Sequence, residues 1–72
     1  MLDGYIYLLM NYKFPDGTMF ATTARVPRYY NLLNYTQYPH VYSINVCSKK
    51  DAEALAKVWN NEYKKQGRLA TA

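Results

Sequence analysis

The chain offers few side chains that could do chemistry, and their spacing keeps them apart. His40 and Cys47 are the only histidine and the only cysteine among 72 residues. A thiol–imidazole pair has to meet within hydrogen-bonding distance to act on a substrate. On one extended strand a separation of seven puts the two on opposite faces, about 23 Å apart. The sequence therefore predicts no dyad and an inert, buried Cys47. One histidine and one cysteine also fall short of a structural zinc set, and a single thiol cannot form an internal disulfide.

The five carboxylates have structural roles close at hand. Asp16 lies in Pro15-Asp16-Gly17, where proline pre-sets a negative φ, the carboxylate bonds the local backbone and glycine accepts a positive φ. Asp51 follows Ser48 by three, a variant of the capping box at a helix start. Glu53 precedes Lys57 by four and Glu62 precedes Lys65 by three, both helix-surface spacings, while Asp3 sits near the terminus. Gly4, Gly17 and Gly67 are isolated, so there is no glycine-rich phosphate loop. These observations predict a protein that is not an enzyme, with no catalytic residue, metal site or cofactor.

The elements that would position any functional surface read clearly. Tyr5 to Phe14 is a strand by composition, with Ile6, Leu8, Met10, Tyr12 and Phe14 forming an apolar face and Tyr5, Tyr7, Leu9, Asn11 and Lys13 a half-wet one. The turn at 15–17 returns the chain through Thr18 to Val26, making a hairpin. Val41 to Cys47 is a third strand, with Tyr42, Ile44 and Val46 on one face and Ser43 and Asn45 on the other. Ser48 caps a helix whose inner line is Ala52, Leu55, Ala56, Trp59 and Tyr63, with Gly67 as its C′ residue and a frayed tail from Leu69. Pro27 and Pro39 bracket a stretch in which 28–36 suits either a short helix or an ordered loop.

The fold expected is a single α+β domain over 1–72. In it a three-stranded antiparallel sheet, a β-hairpin plus a third strand, is covered on its apolar face by the C-terminal amphipathic helix. Trp59 is expected as the central plug of that interface. With one helix available, the other side of the hairpin (Tyr5, Tyr7, Leu9, Met19, Ala21) is expected to face out as a contact site or dimer seam.

So small a domain buries roughly 60% of its unfolded surface and is marginal alone. Without disulfide or metal, aromatic packing and association as a homodimer are the supports left open. No apolar run reaches membrane-spanning length and no basic leader precedes one, so a cytoplasmic, membrane-free protein is expected.

Nine tyrosines and a net charge of +4 point towards recognition. Five of the nine (Tyr29, Tyr30, Tyr35, Tyr38, Tyr42) fall within fourteen residues, more rings than one small core can hold. Tyrosine and arginine are the favoured anchors of protein interfaces. Arg25, Arg28, Tyr29, Tyr30, Tyr35 and Tyr38, with Tyr5 and Tyr7 on the sheet, are thus candidate partner-binding residues. A second candidate is the line Lys50, Lys57 and Lys64, seven apart on one helix face and extended by Arg68, suited to nucleic acid or an acidic protein surface.

The hairpin, third strand and helix opening with Ser-Lys-Lys-Asp-Ala-Glu-Ala (48–54) resemble the arm-type DNA-binding domains at the amino ends of some tyrosine integrases. That resemblance implies DNA reading by basic residues on the sheet, here Lys13 and Arg25. In size and plan the chain also resembles the stand-alone proteins of phages and mobile elements that plug host machinery, anti-CRISPR proteins among them. That second resemblance implies a host protein partner, one that itself handles nucleic acid. The alternative is an accessory domain that binds nucleic acid directly.

Overall fold

A computed structural model describes residues 4–28 and 38–70 of the chain. Three strands, β1 (Tyr5–Lys13), β2 (Met19–Pro27) and β3 (Val41–Cys47), precede one long helix, α1 (Lys49–Lys65). The sheet order is β2-β1-β3, both pairings antiparallel, so the architecture is the α+β one expected. The hairpin turn forms by the chemistry its residues dictate. Asp16 Oδ1 accepts from the Thr18 N–H at 3.0 Å and from its hydroxyl at 2.6 Å, and Gly17 takes φ +89°. Those two bonds hold the Asp16 carboxyl below its usual range by stabilising the charged form.

α1 begins and ends as its termini prescribe. Ser48 Oγ accepts from the Asp51 N–H at 3.1 Å. At the other end Gly67 has φ +69°, its N–H donates to the Lys64 carbonyl, and the Arg68 N–H donates to that of Tyr63. That pair of bonds is the Schellman arrangement. As far as it is described, to Ala70, the tail is not frayed. The Met19 N–H donates to the Arg68 carbonyl at 2.7 Å and the Ala70 N–H to the Met19 carbonyl at 2.8 Å, so Leu69 lies parallel to the start of β2.

The helix packs on the face opposite to the one expected. Leu8, Met10 and Val26 are buried together on the even face of the hairpin, with Ile6, Tyr12, Ala24 and Ile44 against them, and no residue of α1 joins that cluster. On the odd face Met19, Ala21 and Tyr63 form a second cluster with Ala56 and Leu69. The odd side of the hairpin is consequently no open seam: Leu9, Met19 and Ala21 are buried there. Hydrogen bonding explains the choice. Asn11 is buried on that face and needs a partner, which the Tyr63 hydroxyl supplies by donating to Asn11 Oδ1 at 2.6 Å.

The inner line of α1 is therefore Ala52, Ala56, Asn60 and Tyr63, small residues admitting close approach with one long ring at the end. Ala52 is fully buried. Trp59 is not the plug: it is 43% exposed, its ring stacked beside Tyr63 at 6.0 Å, and Leu55 is 40% exposed. A β-bulge between Asn11 and Tyr12 corrects the alternation read for β3. Val41 faces Tyr12 and Ser43 faces Asn11, leaving Tyr42 as the extra residue. Tyr42 consequently leaves the face of Ile44, and the Lys13 ammonium lies 5.9 Å from its ring centre.

Candidate protein-binding surface

The two flanks of α1 differ in chemistry because they overhang different strands. Asn60 reaches the β2 side, accepting from the Ala21 N–H at 2.7 Å and donating to the Ala21 carbonyl at 2.8 Å. Lys57 and Lys64, three before and four after Asn60, share that side, with Lys50 one heptad earlier. All three lysines are exposed. Arg68 leaves their line. The chain reverses at Gly67, and the guanidinium donates to Met19 Sδ at 3.5 Å and to Gln66 Oε1 at 3.4 Å.

The flank over β3 is open and carries three apolar side chains, with the exposed Glu62 among them at the groove. Leu55, Val58 and Trp59, at i, i+3 and i+4, are 40, 60 and 43% exposed. Trp59 and Tyr63 form one wall of a groove of about 350 Å³, with Tyr42, Ser43 and Asn45 of β3 as the other. Its floor is polar but satisfied. Asn11 accepts from Tyr63 and donates through Nδ2 to Ser43 Oγ at 3.3 Å. Burial raises the Tyr63 phenol above its ordinary range, the nearby Tyr42 adding to this and Arg68 opposing it. Aromatic walls, a fixed hydrogen-bonded floor and a guanidinium at one end suit a partner that brings apolar side chains together with polar backbone.

The residues predicted from sequence fall into separate places. Tyr5 is 52% exposed with the Arg25 guanidinium 4.6 Å from its ring centre, and Tyr7 is half-buried beside Arg25 in the register. Arg28, exposed, donates its backbone N–H to the Gly4 carbonyl, holding this corner of the sheet. Tyr38, 50% exposed, belongs to the opposite end, where His40 lies 5.5 Å from the Phe14 ring and its carbonyl accepts from Lys13. Tyr29, Tyr30 and Tyr35, and the expectation of a short helix or ordered loop over 28–36, lie outside the described residues apart from Arg28. The described members of the predicted set thus fall at two ends of the sheet, Tyr5, Tyr7, Arg25 and Arg28 at one and Tyr38 at the other.

His40 precedes β3 in a turn with φ +70°, while Cys47 closes the strand opposite Tyr7, half-buried and not fully so. Among the described residues no three of His, Cys, Asp and Glu gather as a metal site. No helix among the described residues is long and apolar enough to cross a membrane. A second hollow, about 510 Å³, lies between the hairpin turn and the tail, lined by Phe14, Pro15, Asp16, Thr18 and Leu69.

Sequence reasoning missed the Trp59–Tyr42 groove and Asn60. A one-residue bulge leaves no mark in the alternation of VYSINVC. An asparagine at mid-helix reads as a solvent residue unless the strand edge beside it is known. No family model, curated protein or solved structure matches the chain.

Proposed function

We propose that the chain is a non-enzymatic protein-binding module, acting as a phage-type, anti-CRISPR-like inhibitor on a larger host protein that handles nucleic acid, in the host cytoplasm. The observation that carries this reading is the apolar flank of α1. A 72-residue chain leaves Leu55, Val58 and Trp59 exposed along one flank of α1, with Tyr42, 65% exposed, across the groove from Trp59. Contiguous exposed apolar side chains of this kind mark contact sites. Trp and Tyr are the commonest binding anchors, each offering a large area with little rotamer entropy to lose. Tyr5 with Arg25 forms a second, smaller anchor pair near the opposite end of the sheet, and the lysines steer the encounter.

The alternative is a nucleic-acid-binding accessory domain. The observation in its favour is the separate lysine flank, where Lys50, Lys57 and Lys64 would meet phosphates, with exposed rings stacking on bases. Two experiments separate the readings. In the first, the tagged chain is captured from nuclease-treated host lysate alongside its Trp59→Ala variant. One discrete host protein is expected with the parent, reduced at least tenfold with the variant. The variant's melting temperature should move little, since the ring is nearly half exposed. The second is a mobility shift with duplex and single-stranded DNA and RNA at two salt concentrations. Tight, salt-sensitive shifts together with loss of the captured protein on nuclease treatment would overturn the inhibitor reading.

A further inference from the structure

The two edges of the sheet are finished differently. On β2 the outward backbone groups of Ala21 are both taken by the Asn60 side chain, and those of Met19 by Arg68 and Ala70. The rest of that edge carries Arg25 and ends at Pro27, which has no N–H. Charge, proline and covering chain are the usual devices that stop strand addition. Among the described residues the β3 edge has none of them. Its sequence, VYSINVC, contains no charged residue and no proline.

The direction of its free groups follows from the register. Ala21 points away from β1, so its partner Asn11 points towards β3, and Ser43, Asn45 and Cys47 spend their backbone bonds on β1. The N–H and C=O of Ile44 and Val46 therefore face outward, with no partner among the described residues. Val46 is 58% exposed beside them.

We infer that this edge is a homodimer seam, β3 pairing antiparallel with β3 of a second copy to make a continuous six-stranded sheet. The bulge sets the register. Only 43–47 is regular, so the two-fold axis passes through Asn45, with Ile44 opposite the partner's Val46 and Ser43 opposite the partner's Cys47. Each copy then exchanges the free groups of Ile44 and Val46, and each Val46 gains an apolar neighbour. An uncharged strand permits this approach even though each chain carries +4. The opposite edge being covered at Met19 and Ala21 and guarded beyond them by Arg25 and Pro27, assembly closes at two copies and does not run on into a fibre. The inference does not depend on the host partner, whose proposed site is the α1 flank.

Sedimentation velocity over roughly 10–500 µM should show the mass rising from 8.4 kDa towards twice that value. Val46→Lys, which places like charges close across the seam at an exposed site, should weaken association at least about tenfold while the circular dichroism spectrum stays unchanged. Asn45→Cys in a Cys47→Ser background puts two thiols at a close, non-hydrogen-bonded pair, within disulfide reach. It should be trapped as a folded dimer on mild oxidation, well above a Lys57→Cys control on the far flank. A single 8.4 kDa species throughout, association indifferent to Val46→Lys, or trapping no better than the control would each overturn the seam. Host capture by a strictly monomeric chain would overturn it too, while leaving the functional reading standing.

Discussion

Tyr63 shows how one residue can decide which face of a sheet is covered. Its ring fills the odd-face cluster, and its hydroxyl satisfies a buried amide that a hydrocarbon could not. Removing the hydroxyl in Tyr63→Phe strands Asn11 Oδ1 in the interior, so the variant should lose about 1–3 kcal/mol of stability. The same group gives the fold an alkaline limit. Its pKa is raised in the folded chain, chiefly by burial, so the neutral phenol's contribution is complete below the unfolded value near pH 10. That contribution is then lost as pH climbs through the higher folded value. Thermal melts between pH 7 and 11 should find the parent falling more steeply than Tyr63→Phe above pH about 10. Parallel curves would mean that burial of this phenol is not coupled to folding. Trp59 carries the opposite lesson: aromatic size suggested a plug, yet a helix that approaches through Ala52 and Ala56 has no room for an indole beneath it.

At the scale of elements, the sequence made the hairpin, the third strand and the helix legible because each carries its own chemistry. Pro15-Asp16-Gly17 makes the turn, Ser48 starts α1 and Gly67 stops it, and the bonds follow those residues one for one. What could not be read was the relation between elements. A helix with two Ala, one Asn and one Tyr on its inner line is not recognisable as amphipathic until the strand it meets is known. Asn60 is the clearest case, since its amide imitates a neighbouring strand for Ala21. Asn60→Ala should lower stability by about 1–2 kcal/mol in urea titrations. It should also speed hydrogen exchange at the Ala21 amide, and light scattering should detect species larger than a dimer because the β2 edge becomes free to pair. Unchanged exchange at Ala21 would show that the side chain does not guard that edge.

For the whole molecule, the premise that too little chain exists to cover both sides of the sheet needs revision. Each face of the hairpin holds a buried cluster, with Tyr5 and Phe20 exposed at its ends, and the rest of the exposed apolar surface lies mainly along the flank of α1 and the groove beside β3. The proposed recognition surface thus lies on the side of the molecule that also carries the β3 edge, while Lys50, Lys57 and Lys64 occupy the other flank. That segregation gives a whole-molecule prediction. Replacing Lys50, Lys57 and Lys64 together by alanine lowers the net charge from +4 to +1 without touching the apolar flank or the core. If the lysines only steer, surface plasmon resonance against the captured host protein should show association slowed by about tenfold at low salt, little change near 0.5 M salt and an unaltered dissociation rate. If the lysines instead grip phosphate, the same variant should lose affinity uniformly across nucleic-acid sequences, with a shallower dependence on salt. An unaltered dissociation rate combined with slower association is the outcome the protein-binding reading requires; a faster dissociation rate would move the interface onto the lysine flank and displace Trp59 from its centre.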